Sequence, residues 1–171
     1  RFKIINEKYK KLISPLFEER DVIAYANPCQ FVRCVAGMSM EKRKALCHPY
    51  PNTMDKIEKY GYDGKQLHHC ARLCEFLYRY MTGTPLADCY VSQNPAPLMN
   101  FKKQLTADGD RILSKMEAVA LCDEFDLTTM KFKEEFMEKN AEGSDPRASE
   151  LLFRIQYEIL KEWFKEEINE D

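Results

Sequence analysis

The sequence predicts an all-α protein, a compact multi-helix bundle forming a single helical domain over residues 1–171. Apolar residues recur at intervals of three and four along most of the chain, the spacing that places them on one face of a helix. Strands do not alternate with helices, and the one weak strand candidate, Cys89 to Ser92, is too short to change the class. A chain of 171 residues can also bury a core without disulfide or metal support.

Composition and charge narrow the class of function. The chain has 26 Lys and Arg against 28 Asp and Glu, so it lacks the basic excess of a protein that binds nucleic acid without discrimination. Its 12% aromatic content argues against intrinsic disorder. No uncharged apolar run approaches the ~20 residues of a membrane-spanning helix. We therefore expect a soluble, cytoplasmic protein that does not contact a membrane.

The seven cysteines are an odd number and include no Cys-x2-Cys pair, which disfavours both a disulfide framework and a structural zinc site. Zinc stays an alternative because histidines adjoin cysteines at Cys47-His48 and His68-His69-Cys70. Cys70 and Cys74 fall on an apolar helical stripe, however, and free thiols are usually buried. We expect reduced core thiols and no metal site.

The first two helices follow from breaking and capping residues. One helix carries an apolar face from Ile4 and Ile5 to Phe17, interrupted near Pro15, and Asn27-Pro28 begins the next. The residues of this second helix expected to face the core are Phe31, Val32, Cys34, Val35 and Met38. The charged run 41–44 after them is expected to be solvated.

In the middle of the chain, glycine residues mark where helices end. A short helix over 52–62 is expected to end at Gly61, and a longer one runs from Lys65 to Met81 before Thr82-Gly83 stops it. A loop is predicted over 84–97. A helix over Leu98 to Leu105 follows it.

Ser114 to Glu117 has the Ser-x-x-Glu form of a capping box and begins a helix toward Phe125. Residues 127–139 are predicted to form a separate helix. Pro146 initiates the last one, which runs to about Asn169. The residues expected on its core side are Leu152, Ile155, Ile159 and Trp163.

The helix from Lys65 to Met81 bears most on function. At 100° per residue, one apolar stripe is expected in the core and consists of Leu67, Cys70, Ala71, Cys74, Leu77, Tyr78 and Met81. An opposite arc of about 80° is wholly basic or aromatic and consists of Lys65, His69, Arg72, Phe76 and Arg79. Such basic groups in line suit a phosphate, and an aromatic ring among them suits a base. An ordinary solvated helix face is the alternative that spacing leaves open.

Residues 59–73 read Lys-Tyr-Gly-Tyr-Asp-Gly-Lys-Gln-Leu-His-His-Cys-Ala-Arg-Leu. This run resembles the Lys-Tyr-Gly-Tyr-Asp-x-Lys-x-x-x-His-x-x-Arg-Leu signature of a family of predicted nucleotidyltransferases. The family belongs to the polymerase-β superfamily and occurs in bacteria and phages, in part beside RNA-repair genes. The matching residues are Tyr60, Gly61, Tyr62, Asp63, Lys65, His69, Arg72 and Leu73. We call residues 59–82 the signature region, and the wider resemblance covers about Phe31 to Glu124.

The resemblance implies a larger enzyme. In the family, an N-terminal catalytic domain carries a Gly-Ser turn and paired acidic residues that hold Mg²⁺ against the triphosphate of an NTP. Here the one Gly-Ser, Gly143-Ser144, follows the signature region, and the one Asp-x-Asp, Asp108-Gly109-Asp110, lies in a polar loop. The chain also begins with Arg1 rather than Met. We expect it to be the helical half of an α+β enzyme, with the catalytic domain absent and the catalytic residues unassigned.

The resemblance assigns the complete protein to transfer of a nucleoside monophosphate from an NTP to an acceptor such as an RNA end. The residues expected to contact phosphate are Lys65, His69, Arg72 and Arg79. The residues expected to stack, orient or pack are Tyr60, Tyr62, Asp63 and Phe76. For Asp63 the two open roles are orienting Lys65 and capping the helix.

A non-catalytic module that binds a nucleotide, RNA or a protein through the same basic face is the alternative. It requires none of the missing carboxylates. A helical ribonuclease ranks last, because the Arg-x4-6-His element of such enzymes does not occur in this sequence.

Overall fold

A computed structural model describes residues 7–106 and 108–169. Over these residues the chain forms nine α-helices, and its only β-type pairing is an isolated bridge between Leu105 and Arg111, so the all-α prediction is confirmed. The helices are α1 (Glu7–Glu18), α2 (Arg20–Ala24), α3 (Pro28–Ala45), α4 (Met54–Tyr60), α5 (Gly64–Met81), α6 (Leu86–Cys89), α7 (Pro95–Lys103), α8 (Lys115–Lys139) and α9 (Pro146–Asn169).

The chain divides into two compact units. The first comprises Arg1–Pro28 and Glu142–Asp171, and the second comprises Cys29–Ala141. The prediction of a single domain over 1–171 stays a prediction. Ile4 and Ile5, expected on the apolar face of the first helix, lie outside the described residues.

In the second unit α5 packs against α6, α7 and α8. It contributes to two clusters of buried side chains. The first cluster consists of Val32, Val35, Phe76, Leu77, Tyr80 and Cys89. The second consists of Leu46, Tyr62, Leu67, Cys70, Ala118 and Cys122. Because α5 lies between both clusters, its position fixes where the signature residues are placed.

The start of α5 is defined by a buried cap. The carboxylate of Asp63 accepts hydrogen bonds from the backbone N–H of Lys65 and from Nε2 of Gln66, each at 3.1 Å. The backbone N–H of Asp63 donates to the carbonyl of Leu46 at 2.8 Å. Asp63 is only 1% exposed. Of the two roles predicted for Asp63, the structure therefore shows the helix cap.

Helix ends lie where the capping and helix-breaking residues of the sequence predicted them in the following cases. Gly61, with φ of 83°, ends α4 in the left-handed conformation. The capping box of α8 is formed in both directions: the Ser114 hydroxyl accepts from the Glu117 N–H at 3.3 Å, and the Ser114 N–H donates to the Glu117 carboxylate at 2.7 Å. Pro28 and Pro146 begin their helices as predicted.

Four predictions between residues 84 and 139 were wrong. The segment predicted as a loop contains α6, and α7 begins at Pro95 rather than Leu98. Two predicted helices after Ser114 are one continuous helix, because no Gly or Pro separates Phe125 from Leu127. The strand candidate at Cys89 to Ser92 does not form, since Cys89 ends α6.

The first unit contains α1, α2 and α9, and Pro15 lies inside α1 without ending it. Helix α9 buries Ala148, Leu151 and Ile155. Of the residues expected on the core side of α9, Ile155 is buried as predicted. The prediction was wrong for Leu152 and Trp163, which are each 46% exposed. None of the helices in the described ranges combines the length and apolar character needed to cross a membrane.

Candidate functional site

The two tyrosines of the signature region have structural contacts. The ring of Tyr62 is fully buried, and its hydroxyl donates to the Leu113 carbonyl at 3.4 Å. Burial raises the pKa of this phenol. A ring with no exposed surface cannot stack on a ligand, so the stacking role predicted for Tyr62 was wrong. The half-buried Tyr60 ring lies 5.0 Å from the Lys59 ammonium, and its carbonyl accepts from Arg111.

The helical-wheel assignment of α5 was right for the buried Leu77 but wrong for its two neighbours, Phe76 and Tyr78. Phe76, predicted on the exposed arc, is only 8% exposed, and Tyr80 is buried. Tyr78, predicted in the core, is 54% exposed. The reason is the position of α3, since the Phe31 ring lies 5.9 Å from the Phe76 ring and 4.9 Å from the Tyr80 ring. The packed face of α5 therefore includes part of the predicted basic arc.

The segment 90–93, which we call the strap, is held by three charged residues of α5. Arg72 Nη2 donates to the Tyr90 carbonyl at 3.0 Å, and Arg79 donates to the carbonyl of Val91. The Glu75 carboxylate accepts from the Ser92 hydroxyl and from the backbone N–H of residue 93, each at 2.6 Å. Arg79 was predicted to bind phosphate, but in the structure its guanidinium donates a hydrogen bond to the strap.

A groove runs between α3 and α5, and the strap contributes one of its walls. Its volume is about 260 Å³. The lining residues are Phe31, Val35, Met38, Lys42, His69, Arg72, Leu73, Phe76 and Tyr90. We call this the α3–α5 groove. It brings together three residues of the predicted arc: His69, Arg72 and Phe76.

The basic residues of the groove create a positive potential. Burial lowers the pKa of His69, and the nearby His68, Lys42, Lys65 and Arg72 lower it further. His69 is therefore neutral at pH 7, while Lys42 and Arg72 carry charge. Lys65 is outside the lining, but it lies one helical turn before His69 on the same face of α5. An anion in this groove would meet converging positive charges.

Aromatic rings form the apolar part of the same groove. The Phe76 and Tyr90 ring centroids are 5.2 Å apart at 52°, and Tyr90 is 57% exposed. Phe31 also packs against Phe76, with ring centroids 5.9 Å apart. A planar ligand can therefore contact the exposed Tyr90 ring in a groove that also carries cationic side chains.

Sequence reasoning missed the α3 side of the groove. Phe31, Val35, Met38 and Lys42 are spaced by four, three and four residues, so they share one face of α3. That spacing was a usable signal, but Lys42 was assigned to a solvated run. Cys34, predicted to face the core, is exposed. Nothing in the local pattern of residues 89–92 indicated that Tyr90 would lie against Phe76.

The acidic residues give no support for a magnesium site in this chain. Within 7–106 and 108–169, no group of three His, Cys, Asp or Glu residues is placed to hold a metal ion. Asp110 closes a turn with Thr106, whose backbone N–H donates to the Asp110 carbonyl at 2.8 Å and whose hydroxyl accepts from the Asp110 N–H at 3.1 Å. Mg²⁺ held by the complete enzyme stays an expectation of the resemblance.

The thiols singled out in the sequence lie among core residues. Cys70 and Cys122 are buried, with their sulfur atoms 3.3 Å apart, and Cys70 also contacts the Ser39 carbonyl. Cys74 is half-buried, and burial raises its pKa.

Comparisons of the chain with models of known protein families, with curated proteins and with solved structures found no match.

Proposed function

We propose that the α3–α5 groove binds a nucleotide, either free or at the end of a nucleic acid. The observation that carries this proposal is the combination of ring faces with cationic side chains in one groove. The exposed Tyr90 ring, which packs on the buried Phe76, supplies surface for a base, and Lys42 and Arg72 supply charge for its phosphate. Neither feature alone distinguishes a nucleotide from other apolar or anionic ligands.

Arg72 is suited to a double role. One of its N–H groups donates to the Tyr90 carbonyl, and a guanidinium has five N–H donors in all. A phosphate that bonds to Arg72 would thus be joined through it to the strap that carries Tyr90. The groove volume of about 260 Å³ is small beside the roughly 300–1,000 Å³ of most small-molecule sites, which favours a single nucleotide unit.

The larger context that we propose is a nucleotidyltransferase, with this chain as its helical part. The support is the resemblance of residues 59–73 to the family signature, two of whose residues, His69 and Arg72, line the groove. Transfer of a labelled NMP from an NTP to an RNA end by the parent protein, with Mg²⁺ present, tests this step. Groove binding without transfer would identify a non-catalytic binding module instead.

Lys42 gives the cleanest test of binding, because Arg72 also holds the strap. We expect Lys42→Gln to weaken binding of a nucleoside 5′-monophosphate by about 10- to 150-fold, since a charge-assisted contact contributes about 1.5–3 kcal/mol. Titration calorimetry measures the change. Lys44→Gln is the matched control: Lys44 lies on the same helix but is exposed and paired with Glu41 at 3.0 Å. Equal affinities of the two variants would contradict the proposal.

Binding should also depend on the protonation of His69. Its lowered pKa means that the imidazole gains a proton only as the pH falls below its usual range. The added positive charge lies beside the proposed phosphate position, so affinity is expected to rise as the pH falls below the ordinary histidine pKa of 6.5. The ligand phosphate titrates in the same pH range. The pH profile of the His69→Gln variant gives the contribution of the phosphate alone, so its difference from the unmodified chain gives that of His69. If the variant shows the same pH profile as the unmodified chain, His69 does not face the phosphate.

A further inference from the structure

Helix α9 exposes a continuous apolar stripe on the side away from its buried residues. The members of this stripe, each between 42% and 75% exposed, are Phe153, Tyr157, Leu160, Phe164 and Ile168. At 100° per residue they fall within an arc of about 80°. The buried residues Ala148, Leu151 and Ile155 occupy a different arc. The helix is thus apolar on a face that the first unit does not cover.

The size of this stripe is typical of an interface. From Phe153 to Ile168 it extends about 22 Å along the helix. The exposed fractions of its three aromatic and two aliphatic side chains amount to roughly 600 Å². Apolar patches on soluble monomers seldom exceed a few hundred Å², and a stable interface buries about 800 Å² per partner. With the flanking Leu152 and Trp163, each 46% exposed, α9 alone supplies most of one side.

The order of the side chains is compatible with a two-fold axis. Four members of the stripe, Phe153, Tyr157, Leu160 and Phe164, are separated by four, three and four residues, so the spacing is the same in both directions. In an antiparallel pair of α9 helices, Phe153 of one copy meets Phe164 of the other, and Tyr157 meets Leu160. A two-fold interface requires this self-complementarity, and alternating three- and four-residue steps are typical of paired helices.

The charges of α9 do not oppose such pairing. The helix contains four basic and five acidic residues. Lys161 pairs with Glu158 at 3.6 Å and Lys165 with Glu162 at 2.7 Å, so two of the four basic residues are compensated within their own helix. A helix that lies on a membrane usually has a polar face rich in Lys and Arg, which this balance lacks.

We propose that the α9 stripe is the interface of an antiparallel homodimer. Sedimentation velocity between 5 and 200 µM tests it, with the expected result a species of twice the 20.1 kDa chain mass. Phe153→Glu and Phe164→Lys, each at an exposed position, are expected to raise the dissociation constant at least 30-fold. Their double variant is expected to restore the dimer, because the antiparallel arrangement places the two introduced charges opposite each other. Met116→Glu, at an 80% exposed position on α8, is the control.

Circular dichroism establishes that each variant remains folded, and Phe153→Ser replaces the charged variant if it does not. Three outcomes would overturn the proposal. The first is a chain that stays monomeric at 200 µM, and the second is a dimer that survives both single substitutions. The third is a double variant that remains monomeric, because a parallel pair would bring like charges together at both positions.

Discussion

Replacing Gly64 with alanine is expected to destabilise the protein by about 3 kcal/mol or more. A Cβ atom on Gly64 would lie 2.1 Å from the carbonyl oxygen of Phe101 and 2.4 Å from Cγ of Gln104. The first of these atoms belongs to the backbone of α7, and the second to a side chain that is only 2% exposed. Neither can withdraw without moving α7, so the added methyl group forces the start of α5 away from it.

Gln104 is itself held in place, so it cannot move to make room for a Cβ atom on Gly64. It ends α7 with φ of 63°, the left-handed region that side chains other than glycine rarely occupy. Its side-chain Nε2 donates to the carbonyl of Tyr62 at 2.8 Å. Any shift that relieves the clash at Gly64 therefore breaks a buried hydrogen bond next to the Asp63 cap. The cost of the substitution includes both packing and hydrogen bonding.

Urea denaturation measures the effect of Gly64→Ala, and Gly37→Ala is its matched control. A Cβ at Gly37, inside α3, meets no atom within 4 Å. There the same substitution is expected to stabilise the chain by about 0.5–1 kcal/mol through helix propensity and the lower entropy of the unfolded state. If Gly64→Ala unfolds at the same urea concentration as the unmodified chain, the close packing of α7 on the start of α5 is wrong.

The sequence predicted features that depend on interactions between residues close in the chain, and it missed those that depend on distant residues. Pro28, Gly61 and the Ser114-Glu117 capping box act within one helical turn, and each helix end that they predicted is present. Gly64 gave no such signal. The backbone atom that a Cβ on Gly64 would meet belongs to Phe101, which is 37 residues away in sequence.

The candidate site shows the same division. His69, Arg72 and Phe76 could be grouped from the periodicity of α5 alone, and all three line the groove. The wheel could not show that Phe76 would be buried by Phe31, because that contact depends on how α3 and α5 pack. It also could not show that Arg79 would bond to Val91, since the strap has no periodic pattern to align.

Leu77→Ala is expected to cost about 3–4 kcal/mol of stability and to change the groove as well. Leu77 has no exposed surface and packs in the first core cluster beside Phe76, which forms part of the groove. Removing a buried Leu side chain leaves a cavity that its neighbours fill only in part. Because Phe76 can relax into that cavity, we expect nucleotide affinity to fall even though residue 77 does not line the groove.

Thermal unfolding and calorimetric titration of the same Leu77→Ala sample separate these two effects. Leu127→Ala is the control, since Leu127 is 62% exposed on α8 and its truncation is expected to change stability by less than about 0.5 kcal/mol. A loss of stability without a loss of affinity would show that the groove does not depend on the core beneath Phe76. A variant as stable as the control would contradict the burial of Leu77, and with it the packing that positions α5.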